Sequence, residues 1–93
     1  MKKIKVENIL SNNGNKIPNQ FIITDYKNNC EIFQSYKSII AIKDLNNNKI
    51  YLDSYYWDYS TTTGKYRNIF LNEKKNETQK KINSKEYILK DLN

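Results

Sequence analysis

Short apolar runs, separated by turns rich in Asn and Asp, fill the first 53 residues and constrain the fold most strongly. The runs contain many β-branched and aromatic residues, which is typical of strands. The intervening Asn and Gly residues tolerate the positive φ angles that tight turns require. Because strands joined by short turns pair antiparallel, residues 1–53 are predicted to form a β-meander. The predicted strands are 3–10, 20–24, 30–34, 38–43 and 49–53.

The period of the pattern changes after residue 53. Ser60 and the three following threonines offer N-cap hydroxyls, and Asn72 can end a helix in the left-handed conformation. Apolar residues recur between these two points at helical spacing. They are Tyr66, Ile69 and Phe70.

A second, mostly polar helix is predicted over residues 73–84, with acidic residues early and lysines late, as the helix dipole favours. Residues 86–90 are predicted to form a final strand. The chain is therefore predicted to be a single α+β domain over residues 1–93. Its antiparallel sheet has five to six strands, and two helices within residues 60–84 are inserted before the last strand.

The basic charge has two interpretations. The chain carries 16 Lys and Arg against 10 Asp and Glu, a net charge of +6, which suggests a polyanion partner. Only one of the 16 is Arg, however, and Lys, Asn, Ile and Tyr all have A/T-rich codons, so an A/T-rich genome would produce this bias unaided. The lysines are also dispersed along the chain. A solvated basic surface is the favoured interpretation, and a dedicated polyanion site stays open.

Several function classes are disfavoured by composition. The chain has no His, which excludes an imidazole base and a Ser-His-Asp triad. No Cys pair or carboxylate cluster has metal-ligand spacing, and neither glycine belongs to a phosphate loop. Asp53 and Asp58 are expected in surface or capping roles. We therefore predict a protein that is not an enzyme and has no metal or cofactor.

The cellular location of the protein is predicted from two further features of the sequence. No apolar run is long enough to cross a membrane, and the charged start at Met1 is interpreted as the beginning of a strand and not as a signal peptide. Cys30 has no second cysteine to pair with, so a packed thiol in a reducing cytoplasm is expected.

Residues 55–71 contain the only Trp and the only Arg of the chain. Spacing by two would present Tyr55, Trp57 and Tyr59 on one side of an extended stretch. Aromatic residues beside cations stack nucleobases and also form hot spots for protein partners. In the alternative interpretation, Trp57 and its neighbours in the helix are core residues. The candidate binding residues are Tyr55, Trp57, Tyr59, Lys65, Tyr66 and Arg67, of which Tyr55, Lys65 and Arg67 are expected to be exposed.

The block Trp57-Asp58-Tyr59-Ser60, followed by Thr62 to Asn68 and by Phe70-Leu71, resembles a signature of small proteins from phages and mobile elements of low-GC bacteria. The resemblance extends over nearly the whole chain. It implies a phage or mobile-element context but no particular activity, because the function of that family is unknown. Small phage accessory proteins without catalytic residues often act by binding.

The first functional hypothesis is therefore a non-enzymatic counter-defence inhibitor, similar to an anti-CRISPR protein, that acts in the host cytoplasm on a host protein or nucleoprotein complex. Direct binding of DNA or RNA is the second hypothesis, and an oligomer that sequesters a nucleotide is the third. A homodimer formed through an exposed edge strand is also consistent with the sequence.

Overall fold

A computed structural model describes residues 3–93 and contains one six-stranded sheet with the strands in chain order. Met1 and Lys2, the first two residues of the predicted meander, lie outside the described residues. The predicted α+β class, with two helices before the last strand, is confirmed. The elements are β1 (Ile4–Leu10), β2 (Lys16–Asp25), β3 (Cys30–Ser35), β4 (Ser38–Asp44), β5 (Lys49–Asp53), α1 (Thr61–Leu71), α2 (Lys75–Asn83) and β6 (Tyr87–Lys90).

The first five strands form consecutive antiparallel hairpins. Strand β2 begins earlier than predicted and includes Pro18, beside an irregularity in its pairing with β1. Asn19 adopts a φ of 64° there, so a residue tolerant of the left-handed region follows the proline where the regular ladder is interrupted.

Strand β6 returns beside β5 in the parallel direction. The two helices form the connection between these strands, as a parallel pair requires. The sheet is therefore antiparallel at four of its five pairings and parallel at the last, which the sequence pattern did not indicate.

The core lies between one face of the sheet and the two helices. Phe33, Ala41 and Leu52 are fully buried on that face, and Phe70 and Leu71 of α1 are buried in the same cluster. The rings of Phe33 and Phe70 are 5.9 Å apart. Ile69, predicted on the packed side of α1, is 55% exposed instead.

The ends of α1 follow the sequence prediction. The Ser60 side chain accepts a hydrogen bond from the Thr63 N–H at 3.1 Å, and Asn72 ends the helix with φ 56° and ψ 49°. The second helix begins at Lys75, two residues later than predicted. Glu73 belongs to the linker, and its carboxylate is buried against α2 and β6.

Candidate binding site

Asp53, at the end of β5, builds the turn that carries the candidate aromatic residues. Its Oδ2 accepts hydrogen bonds from the N–H groups of Tyr55 at 3.1 Å and Tyr56 at 2.7 Å, and its Oδ1 accepts one from Leu92 at 2.8 Å. Burial alone raises the pKa of Asp53, but the backbone N–H groups of Leu92 and Tyr56 outweigh burial and lower the pKa. Asp53 therefore has the capping role expected of it.

The chain from residue 54 to residue 59 is a compact turn and not an extended stretch. The Trp57 N–H donates to the Asp53 carbonyl, and the Tyr59 N–H donates to the Tyr56 carbonyl. The prediction that residues 55, 57 and 59 share one side of a strand is wrong, because the side chain of Asp53 bends the backbone.

The turn gathers three tyrosines, Tyr55, Tyr56 and Tyr59, which we call the tyrosine cluster. The rings of Tyr55 and Tyr56 meet edge to face at 4.7 Å, and the Tyr59 ring lies 5.9 and 5.3 Å from them. Tyr56 packs against the core, whereas Tyr55 is 70% and Tyr59 62% exposed. The rings of Tyr55 and Tyr59 are thus exposed to solvent, and both contact the ring of Tyr56, which is packed against the core.

Arg67 is 1% exposed, so its predicted exposure is wrong. Its Nη1 donates to the Trp57 carbonyl at 2.6 Å and to Asp58 Oδ1 at 3.2 Å, and its Nη2 donates to Asn68. The guanidinium also lies 5.1 Å from the centre of the Trp57 ring. A planar group with five N–H donors suits this position, and it fastens the turn to α1.

The remaining candidates divide between core and surface. Trp57 and Tyr66 are half-buried and pack against the core, as the core interpretation of Trp57 stated. Lys65 is exposed, with its Nζ 5.4 Å from the centre of the Tyr66 ring. The structure therefore presents Tyr55, Tyr59 and Lys65 to solvent. Arg67 and Trp57 instead hold the turn against α1 and the core.

An open cavity of about 540 Å³ lies beside the start of α1. Within it, Asp58 pairs with Arg67 and, at 2.6 Å, with Lys75. Burial acts to raise the pKa of Asp58, and the bonds from Lys75 and Arg67 lower it. Lys65 is the one cation of this lining without an ion pair among residues 3–93. The lining residues are Asp58, Ser60, Thr61, Gly64, Lys65, Arg67, Asn68 and Lys75.

The binding residues predicted from the sequence do not include Tyr56 or Lys75, and Asp58 is expected there only in a surface or capping role. The available signal for Tyr56 was Asp53, since the side chain of an aspartate often accepts hydrogen bonds from the backbone of the next residues and starts a turn. In a turn, residues next to each other in sequence cluster together, whereas in a strand they alternate between two faces. Lys75 gave no signal, since its pairing with Asp58 depends on how α2 is placed.

A family of unknown function, DUF8033, matches residues 4–88, which is most of the chain. The chain belongs to the DUF8033 family. No curated protein and no solved structure matches this DUF8033 member significantly. Within residues 3–93, it has no helix that is both long and apolar enough to cross a membrane.

Proposed function

We propose that this DUF8033 member is a non-enzymatic binding protein whose contact surface is the tyrosine cluster together with Lys65. The observation that carries the proposal is the exposure of Tyr55 and Tyr59 on a turn whose backbone is fixed from two sides. Asp53 binds the start of the turn, and Arg67 binds the Trp57 carbonyl near its end.

The arrangement has the properties of a hot spot. Tyrosine has only two side-chain dihedral angles, so it loses little conformational freedom when a partner covers it. The contacts to Tyr56 restrict both exposed rings before binding, which reduces the ordering that association requires. Exposed aromatic residues on a fixed backbone are enriched in protein interfaces, and they also stack on nucleobases.

The biological role that we propose is counter-defence. The Trp57–Leu71 block resembles small phage and mobile-element proteins, and a binding protein of this size can act by occupying a host complex. The proposed partner is a host protein or nucleoprotein complex of the kind that anti-CRISPR proteins inhibit, and binding would take place in the host cytoplasm.

The test is a pull-down from a low-GC host lysate, with and without nuclease, using the wild type and Tyr55→Ala/Tyr59→Ala. Tyr26→Ala is the matched control, because Tyr26 is another exposed tyrosine, located in the β2–β3 turn. We expect the wild type and Tyr26→Ala to retain the same protein partner after nuclease treatment, and the double variant to lose it. Equal retention by all three proteins would contradict the proposed surface.

Direct nucleic-acid binding is the second candidate, favoured by the net charge of +6 and by Lys65 beside the cluster. A bound partner that disappears on nuclease treatment would support it. The affinity should then fall steeply between about 50 and 200 mM salt, because phosphate contacts release counterions. An affinity unchanged over that range would exclude a mode based on the nucleic-acid backbone.

Sequestration of a nucleotide is the third candidate. The cavity beside α1, at about 540 Å³, lies within the size range of small-molecule sites. A thermal shift on addition of cyclic nucleotides, lost in Lys65→Ala, would support this role. The absence of a shift across a panel of such nucleotides would remove it.

A further inference from the structure

The face of the sheet opposite the helices carries a continuous apolar stripe. Residues that pair directly across neighbouring strands project from the same face, and the registers connect one such row through all six strands. Five of its members are half-buried and Val6 is exposed. The stripe consists of Val6, Ile23, Ile32, Ile42, Tyr51 and Ile88.

The neighbouring row, displaced by one residue along each strand, faces the helices. It includes Phe33, Ala41 and Leu52, which are fully buried. No member of the stripe packs against that core. The sheet is therefore apolar on both faces at its centre, although the helices cover only one face, and a contiguous apolar surface of this kind marks an interaction site.

The area of the open face suits a dimer. Six strands at about 4.8 Å spacing and three rows of side chains at about 6.8 Å give roughly 580 Å² per face. Two such faces would remove about 1,200 Å² from solvent, at the lower limit for specific interfaces. Two sheets that pack face to face, as in β-sandwiches, bury a surface of this form.

The stripe is also complementary to itself. A two-fold axis parallel to the strands, between β3 and β4, would place Ile32 of one copy over Ile42 of the other. The same axis exchanges β2 with β5. Asp25 and Lys49 lie on these strands on the same face as the stripe, two residues along, in a row that also contains Cys30 and Asp44. Each Asp25 would therefore face a Lys49 of the second copy, and each Asp44 would face a Cys30.

From the apolar stripe, its area and the facing of Asp25 by Lys49, we propose that the open face of the sheet docks a second copy of this chain. The assembly is a two-sheet sandwich with the helices outside. The tyrosine cluster lies in the turn beyond β5, so the dimer presents two copies of it. The limited area makes the dimer dependent on protein concentration.

Sedimentation velocity over a concentration series tests the dimer with the wild type, Ile42→Lys and Ile69→Lys. Ile69 is the matched control, because it is an exposed isoleucine on α1. We expect the wild type and Ile69→Lys to approach twice the mass of one chain. Ile42→Lys should weaken association by at least roughly 100-fold, because two unpaired lysines would be buried near the axis.

Two further variants keep the test decisive. If circular dichroism shows that Ile42→Lys is unfolded, Val6→Lys replaces it, since Val6 is exposed at the end of the stripe. Lys49→Glu should weaken the dimer by roughly tenfold at low salt and less at high salt, because it would face Asp25. A wild type that stays at the mass of one chain, or a folded stripe variant that still dimerises, would overturn the proposal. The latter result would indicate pairing through the edge strands β1 or β6.

Cys30 supplies an independent measurement. It lies on the open face, lining a cavity of about 360 Å³ with Ile42 and Tyr51, and it is the only cysteine of the chain. In the proposed dimer the two Cys30 residues lie near the axis. A short bismaleimide should therefore cross-link the wild type and not Ile42→Lys, and equal cross-linking of both would contradict the proposed geometry.

Discussion

Arg67 and Glu73 are both charged groups withdrawn from solvent, but their partners differ in kind. Arg67 binds a backbone carbonyl, the half-exposed Asp58 and a neighbouring amide, and its Nε has no hydrogen-bond partner among residues 3–93. Glu73 accepts hydrogen bonds from three side chains at 2.5–2.8 Å. Those side chains are Thr78, Lys81 and Tyr87.

The difference indicates separate tasks. The side-chain partners of Glu73 lie on α2 and β6, so this group holds the second helix to the last strand, and none of these partners belongs to the turn of residues 54–59. Arg67 holds the turn that carries the tyrosine cluster, because its shortest hydrogen bond goes to the Trp57 carbonyl. One buried charge therefore stabilises the fold, and the other shapes the proposed surface.

Glu73→Ala should have the largest effect on stability. It leaves the Tyr87 hydroxyl and the Lys81 ammonium without their shared acceptor, and it also opens a cavity. We expect the free energy of unfolding to fall by about 3–4 kcal/mol, mainly because the Thr78 and Tyr87 hydroxyls lose their acceptor and a cavity opens. Lys81 is 35% exposed and contributes less. Urea unfolding measures this change. An effect below about 1 kcal/mol would show that the network is not buried in solution.

The same network predicts a dependence on pH. Burial acts to raise the pKa of Glu73, but the hydrogen bonds from Lys81, Thr78 and Tyr87 leave the pKa below its usual 4.5. A lowered folded-state pKa contributes stability that is present above about pH 4.5 and is lost as the pH falls through the folded value. The stability difference between the wild type and Glu73→Gln should therefore shrink in acid.

Tyr87 extends this prediction to alkaline pH. Burial and the bond to Glu73 raise the pKa of Tyr87 from 10.0 to about 12. A raised pKa contributes stability that is present below about pH 10 and is lost as the pH rises through the folded value. Tyr87→Phe should lose this alkaline component and keep a reduced acid component, because Lys81 and Thr78 still donate to Glu73. Parallel pH profiles for the wild type and both variants would contradict the assignment of these groups.

Arg67→Met should have a smaller effect on stability and a specific effect on the turn. Asp58 keeps Lys75 as a partner, so we expect a loss of about 2–3 kcal/mol, mainly from the unpaired Trp57 carbonyl and altered packing. Trp57 is the only tryptophan, and its emission in the folded state should shift to longer wavelength as the turn loosens. Glu73→Ala should leave that emission unchanged while the protein is folded.

Lys75→Met is the control for the ion pair. It removes the exposed partner of Asp58 and should cost less than about 1 kcal/mol, as exposed pairs usually do. If Arg67→Met had no effect on Trp57 emission, or Glu73→Ala shifted it equally, the division of tasks between the two charges would be wrong.

The fold could be predicted from sequence because its signals are local. The meander follows from turn residues and alternation, and the caps at Ser60 and Asn72 are local motifs that the structure retains. The parallel pairing of β6 could not be predicted, since the packing of both helices determines it. The sequence pattern places Glu73 at the start of an exposed helix for the same reason. Only the packing of α2 against β6 brings its three partners, which follow it by 5, 8 and 14 residues, onto one carboxylate.

For the candidate site, the sequence indicates a segment but not the geometry of its side chains. The segment was identified by its rare residues, yet the roles of Arg67 and Tyr55 depend on contacts that spacing does not encode. Arg67 resembled a surface cation because arginine is seldom fully buried. Only the turn made by Asp53 brings the Trp57 carbonyl within reach of its guanidinium.

Gly64→Ala has the smallest expected effect on stability, and it tests whether the Arg67–Asp58 pair needs the space beside this glycine. Gly64 lies inside α1, where Ala is favoured by about 0.8–1 kcal/mol. A methyl group there would lie 3.6 Å from Arg67 Nη2 and 3.7 Å from Asp58 Oδ1, at ordinary contact distances. We therefore expect a stabilisation of about 0.5–1 kcal/mol by urea unfolding, and the same gain in the Arg67→Met background. If the gain appears only in the Arg67→Met variant, the Arg67–Asp58 ion pair needs the open space beside Gly64. Gly64 would then belong, with Arg67 and Asp58, to the group of residues that fixes the turn.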